Sequence, residues 1–159
     1  MLRRVMQTLS HFCPTVEVYS VDEAFLDLTG FRKHDLLDYG QQIRQTVRQW
    51  TGIPVSIGIA PTKTLAKIAN HLAKADLSTD GVVDLTRIAN LDVLLSEVDV
   101  GKVWGIGRRT ADTLRSHGIQ TALDLKHADQ NWIKKKFSVV TLRTVIELGG
   151  LSCLPVEML

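Results

Sequence analysis

Apolar positions recur along this chain with two periods, and the change from one to the other marks out its elements. Val5, Leu9 and Phe12 share a helical face, and Pro14 closes that helix. Val16-Glu17-Val18-Tyr19 is β-branched and aromatic, and Phe25, Asp27 and Thr29 alternate with Leu26 and Leu28, which predicts a β-hairpin. Leu36, Ile43, Val47 and Trp50 return at helical spacing from about Asp35 to Thr51, with Gly52 as the stop and Gly40 as an interior residue that disfavours the helix. A strand over 54–59, a helix carrying Leu65, Ile68, Ala69 and Leu72 on one face, and a short strand over 82–85 follow. From about Arg87 the pattern is helical, broken at Gly101, Gly105 to Gly107, Gly118 and Gly149-Gly150. The order of elements predicts an α+β fold: a mixed or antiparallel sheet with helices on one face, then a small all-α part.

Three stretches carry chemistry. The first is Asp22-Glu23, set between the two hairpin strands. Two adjacent carboxylates on a rigid hairpin suit Mg²⁺, a hard ion that takes one or two carboxylates together with substrate phosphates; a solvated turn is the other reading. The second is the helix opening at Thr62, its expected N-cap, where Lys63 and Lys67 lie one turn apart near the positive end of the helix dipole. That place suits a triphosphate, and a solvated basic face is the alternative. The third is Gly105-Ile106-Gly107-Arg108-Arg109-Thr110, which reads as the tight turn between two helices. Two glycines around one apolar residue let the backbone turn sharply. The amides opening the next helix then face a phosphate with two guanidinium groups beside them. An ordinary helical hairpin, with glycines that only permit the turn, is the competing reading.

The succession of Asp22-Glu23 in a hairpin, Gly58-Ile59-x-x-Thr62-Lys63-x-x-Ala66-Lys67 and Trp104-Gly105-Ile106-Gly107-Arg108-Arg109 resembles Y-family translesion DNA polymerases, and most closely their UmuC-type branch. The resemblance implies a partial palm over 1–96 and a thumb with a helix-hairpin-helix over 97–159. It implies that Asp22 and Glu23 are two of three carboxylates holding two catalytic Mg²⁺ ions. Lys67, with Lys63 as the weaker candidate, would contact the triphosphate of an incoming nucleotide, and Gly105 to Thr110 would hold primer-template DNA by its phosphates. The third carboxylate belongs to a motif of the type Asp-x-Asn-x-Phe-Tyr, which occurs nowhere in these 159 residues. The fingers and the little finger are likewise not among them, so the expectation is a polymerase segment with no primer extension of its own. A non-catalytic module that binds the DNA backbone regardless of sequence is the alternative. A UmuD-type dimer and a recombinase filament are partners implied by the branch alone.

Composition narrows the picture further. The chain is 45% hydrophobic, enough for a real core, and its two cysteines, Cys13 and Cys153, have no pairing spacing. With no secretory signal and no long apolar run, a cytoplasmic protein with no membrane partner is expected. The five histidines, His11, His34, His71, His117 and His127, are scattered as surface residues rather than ligands. Net charge is only +2, but residues 1–100 hold 10 Lys/Arg against 12 Asp/Glu, whereas residues 101–159 hold 9 against 5. The helical part is thus the basic one, as expected of a module that grips phosphates.

Overall fold

The computed structural model describes residues 2–31 and 35–156. The chain divides into two compact units, one made of Met1–Ile59, Ala69–Asp84 and Pro155–Leu159, the other of Ala60–Ile68 and Leu85–Leu154.

In the first unit, helix α1 (Leu2–Ser10) is followed by strands β1 (Val16–Ser20) and β2 (Glu23–Leu26), then helix α2 (Leu36–Thr51), strand β3 (Ile57–Ile59) and strand β4 (Val82–Asp84). β1 and β2 form the expected antiparallel hairpin, while β3 and β4 pair in parallel. A parallel pair needs a crossover, and α3 (Lys63–Ala75) lies between these strands in the chain. The third strand is shorter than the pattern predicts, because its partner offers only three residues and Pro54 has no N–H to donate.

Val5, Ile43 and Val47 centre the core of this unit, with Leu9, Phe12, Leu26, Tyr39, Ile53, Val55 and Ile57 packed around them. Helix α2 starts where Asp35 accepts the Asp38 N–H and stops at Gly52, which is left-handed with φ of 74°. Gly40, an apparent weakness in that helix, is explained by the packing. A Cβ there would lie 2.9 Å from Val82 Cγ1 and 3.3 Å from Ile59 Cδ1, so glycine lets α2 approach the β3–β4 pair.

The second unit begins with the first turns of α3. A 3₁₀ turn at Leu85–Arg87 leads to α4 (Leu91–Ser96), a second at Val100–Lys102, and then α5 (Arg108–Ser116), α6 (Ala122–Lys126), α7 (Gln130–Lys136) and α8 (Val139–Leu148). α6 packs on α4 and α8, and α7 packs on α8. Leu65, Leu95, Leu114, Leu125, Ile133 and Leu148 are fully buried. α6 begins with a capping box in which Thr121 and Asp124 each accept the other's backbone N–H.

His11, His71, His117 and His127 are exposed, as expected, and His34 lies outside the described residues. Among the described residues no helix is long and apolar enough to cross a membrane.

Gly40→Ala is expected to lower stability by about 1–3 kcal/mol through overpacking against Val82 and Ile59. Urea denaturation of the variant checks this, and an unchanged midpoint would mean that α2 is not held against β4.

Candidate nucleotide and nucleic-acid sites

The hairpin sets its acids by register. Val16 faces Leu26, Glu17 faces Phe25 and Val18 faces Ala24, but the next pair is Ser20 with Glu23, so Tyr19 is an extra residue in β1. Such a bulge bends a strand and re-aims the side chains beyond it. Val21 and Asp22 form the turn, and Glu23 is the first residue of β2. The Ser20 hydroxyl donates to Asp22 Oδ1 at 2.9 Å, and the Tyr19 and Phe25 rings meet edge to face at 5.8 Å. Below the tip, Cys13 Sγ reaches the carbonyls of Thr15 and Asp27, which fastens the open end of the hairpin.

Asp22 is exposed and Glu23 half-buried, so neither carboxylate is withdrawn from an ion by deep burial. Both are hard oxygen donors that fit Mg²⁺. Among the described residues no group of three or more His, Cys, Asp or Glu comes together to hold a metal.

The lysine helix opens as predicted. Thr62 Oγ1 accepts the Leu65 N–H at 3.2 Å, and the Thr62 carbonyl accepts the Ala66 N–H at 2.9 Å. The Thr64 N–H, however, donates to Glu147 Oε1 at 3.1 Å, and the Thr64 hydroxyl donates to the same oxygen at 2.7 Å. Two first-turn amides, those of Thr64 and Leu65, are thus engaged by side chains of the protein.

The glycine hairpin is the opposite case. The segment before it is a 3₁₀ turn at Val100–Lys102 rather than an α-helix. Gly105 is left-handed with φ of 87°, and a Cβ there would lie 3.2 Å from Thr144 Oγ1. Ile106 is buried and anchors the loop, and its N–H donates to the Val103 carbonyl. Gly107 is the N-cap of α5 and offers no side-chain acceptor to the first turn, while Arg108 and Arg109 are exposed beside it. The first-turn amides of this helix start are thus left without a side-chain cap beside two guanidinium groups.

Two stretches of the chain match known family profiles: the impB/mucB/samB family over residues 1–71, and the IMS family HHH motif over residues 89–119. Together these take in more than half of the chain. The chain belongs to the impB/mucB/samB family. It is 52% identical to Protein UmuC of Salmonella typhimurium across 99% of its own length and 38% of that protein. It is 48% identical to Protein MucB of Escherichia coli over 89% of its length and 34% of that protein. The chain therefore spans well under half the length of these relatives.

Among solved structures, the insertion ternary complex of Dbh DNA polymerase superposes with a TM-score of 0.79 at 28% identity, covering 98% of this chain and 45% of that one. These matches support a UmuC-type Y-family segment, and the α+β palm-and-thumb class expected from the sequence holds.

Sequence reasoning missed two features of this family member. Glu147 was not singled out, although an acid between Val145 and Leu148, on a helix whose neighbouring turns are apolar, is the signal that could have found it. Nor does every basic residue of the helical unit face outward to a ligand. Arg115 donates to Asp99 at 2.6 Å and Asp112 at 3.2 Å, and Lys126 donates to Asp92 at 2.6 Å.

The Arg115 guanidinium, helped by the Gly101 N–H, holds the Asp99 carboxyl below its ordinary value of 3.8. The Lys126 ammonium does the same for Asp92. A carboxylate with a depressed folded-state pKa contributes stability that is complete above about pH 4 and lost as the pH falls through the folded value. The unit's denaturation midpoint is therefore expected to be level from neutral pH to about pH 5 and to drop below about pH 4, less steeply in Asp99→Asn. An acid limb with the same slope in that variant would show that the Asp99–Arg115 pair contributes nothing.

Proposed function

We propose that this chain is the catalytic-palm and thumb portion of an error-prone, DNA-directed DNA polymerase acting in translesion synthesis and the SOS response. Residues 1–96 supply the palm part and residues 97–159 the thumb. The observation that carries the reading is the juxtaposition within one chain of hairpin acids, a lysine-bearing helix and an uncapped glycine-hairpin helix start, in a sequence 52% identical to Protein UmuC.

In this reading Asp22 and Glu23 hold the Mg²⁺ ions, and bound ions stabilise the attacking and leaving oxygens of nucleotidyl transfer. The Tyr19 bulge and the Ser20 hydroxyl orient the acid-bearing turn. Lys67, with Lys63 one turn before it, neutralises charge on the triphosphate of the incoming dNTP. The amides of Arg108, Arg109 and Thr110 and the two arginine side chains grip the backbone of primer-template DNA behind the rigid Gly105-Ile106-Gly107 turn. Cytoplasmic action, a UmuD-type accessory dimer and a recombinase filament belong to the same reading through the family.

A second reading has its own support. Because Gly107 leaves the α5 start without a side-chain cap, the helical unit has what it needs to hold duplex DNA whether or not chemistry follows. Duplex binding alone would make this stretch a sequence-independent backbone module.

Two measurements test the proposal. Fluorescence anisotropy with a labelled duplex is expected to give a Kd on the order of 1–100 µM at physiological salt, independent of sequence. The double variant Arg108→Ala/Arg109→Ala should flatten the log–log salt dependence by roughly two units. Binding that ignores salt would reject both readings. For the palm, Mn²⁺ titrated as a paramagnetic probe is expected to broaden the amide signals of Asp22 and Glu23 first, and Asp22→Asn should weaken that site about tenfold. Broadening centred elsewhere would remove the metal assignment and leave the backbone-binding module.

A further inference from the structure

Glu147 is 0% exposed, and the polymerase reading gives it no task. Its carboxylate is nonetheless surrounded by donors. Oε1 accepts from the Thr64 N–H at 3.1 Å and the Thr64 hydroxyl at 2.7 Å. Oε2 accepts from the N–H groups of Cys153 at 2.9 Å and Leu154 at 3.0 Å. Its backbone carbonyl accepts the Thr62 hydroxyl at 2.9 Å, and that same Thr62 oxygen caps the Leu65 N–H. Thr62 and Thr64 are themselves buried, at 4% and 1% exposure. The two carboxylate oxygens accept from three backbone amides and a hydroxyl, so the burial of this group is matched by its partners.

A residue needed only to fill space at this point of α8 would be apolar, since a buried carboxylate is tolerated only with a full set of partners. What the carboxylate adds is direction. Thr64, which it reaches through both amide and hydroxyl, directly follows Lys63, and Lys67 stands one turn further on the same face. The backbone from which both ammonium groups project is therefore clamped at the helix's first turn, where an α-helix otherwise frays. Ala60–Ile68 also groups with the helical unit that contains α8, so the clamp and the turn it holds are parts of one compact unit.

We infer that Glu147 is the positioning residue for the triphosphate-binding lysines: its buried carboxylate sets the register and direction of the first turn of α3, and with it the placement of Lys63 and Lys67. The inference rests on the proposed role of those lysines. It assigns to α8 a part in nucleotide binding that no residue of α8 plays by contact. Thr64 is the specific relay, since it meets the carboxylate through both its amide and its hydroxyl.

The test uses Mg²⁺-tripolyphosphate as the probe, titrated into the whole chain and followed by NMR, with amide hydrogen exchange at Thr64 and Cys153 and duplex affinity measured on the same samples. Glu147→Gln is expected to weaken tripolyphosphate binding roughly tenfold, the scale of one charge-assisted hydrogen bond, to speed exchange at Thr64, and to leave duplex affinity unchanged. Thr64→Val should fall between wild type and Glu147→Gln, and Thr64→Ser, which keeps the hydroxyl, should match wild type.

Wild-type tripolyphosphate affinity in Glu147→Gln, whether or not the Thr64 amide has opened, overturns the inference. Equal loss of tripolyphosphate and duplex binding also overturns it, because it would mean only a damaged fold. If Glu147→Gln does not fold, the threonine pair decides: Ser restoring what Val loses supports the inference, and equal behaviour overturns it. No tripolyphosphate binding by wild type, or binding undiminished in Lys67→Ala, instead rejects the lysines' role, and the inference falls with it.

Discussion

A carboxylate cut off from water has to find its hydrogen-bond donors within the protein, and the position of Glu147 obliges the helical unit to supply them from two places in the sequence. Thr64, with its amide and its hydroxyl, comes from the opening of α3, and Cys153 and Leu154 from the chain beyond α8. Removing one donor set would leave a buried acceptor unsatisfied, which typically costs about 1–3 kcal/mol and more for a charged group. The arrangement therefore works as an all-or-none tie: residues more than 80 positions apart in sequence are fixed together because neither side can leave without stranding the other. This explains why the first turns of α3 group with α4 to α8, while the rest of α3 groups with the β-strands.

The same physics separates two helix starts that look alike in sequence. Both α3 and α5 open beside paired basic residues, and both present amides at the positive end of a helix dipole. At α3 the Thr64 and Leu65 amides are met internally by the Glu147 carboxylate and the Thr62 hydroxyl. At α5 the N-cap is glycine, with no side chain to answer the amides. Oxygen-bearing side chains at the helix start thus separate α3, where two first-turn amides are engaged within the protein, from α5, whose cap supplies no acceptor.

Where the determinants are local, the sequence reveals them. The hairpin followed from alternation around Asp22-Glu23, α2 from apolar spacing and the Gly52 stop, the α3 cap from Thr62, and the glycine hairpin from Gly105 and Gly107. What escaped was set by residues far apart in the chain. Gly40 reads as a helix breaker until Val82 and Ile59 are seen to require the space. The Tyr19 bulge depends on how β1 registers with β2, which alternation in either strand alone does not fix. Glu147 looked like one more charge on a helix, because its donors lie 83 and 85 residues upstream.

Charge counting needs the same correction. The basic excess of residues 101–159 suggested a surface given over to nucleic acid, yet Arg115 is held by Asp99 and Asp112, and Lys126 by Asp92. Lys134, Lys135 and Lys136 occupy the last turn of α7, where they offset the negative end of that helix's dipole regardless of any ligand. What distinguishes Arg108 and Arg109 is thus not the sign of their charge but their setting. They are exposed at the start of a helix that has no side-chain cap, behind a loop pinned by buried Ile106 and turned by left-handed Gly105. Long-range attraction falls off over roughly 10 Å in physiological salt, so the other cations of this unit can draw a polyanion near but cannot hold it in register. A preorganised backbone is what Gly105 to Thr110 add in this unit.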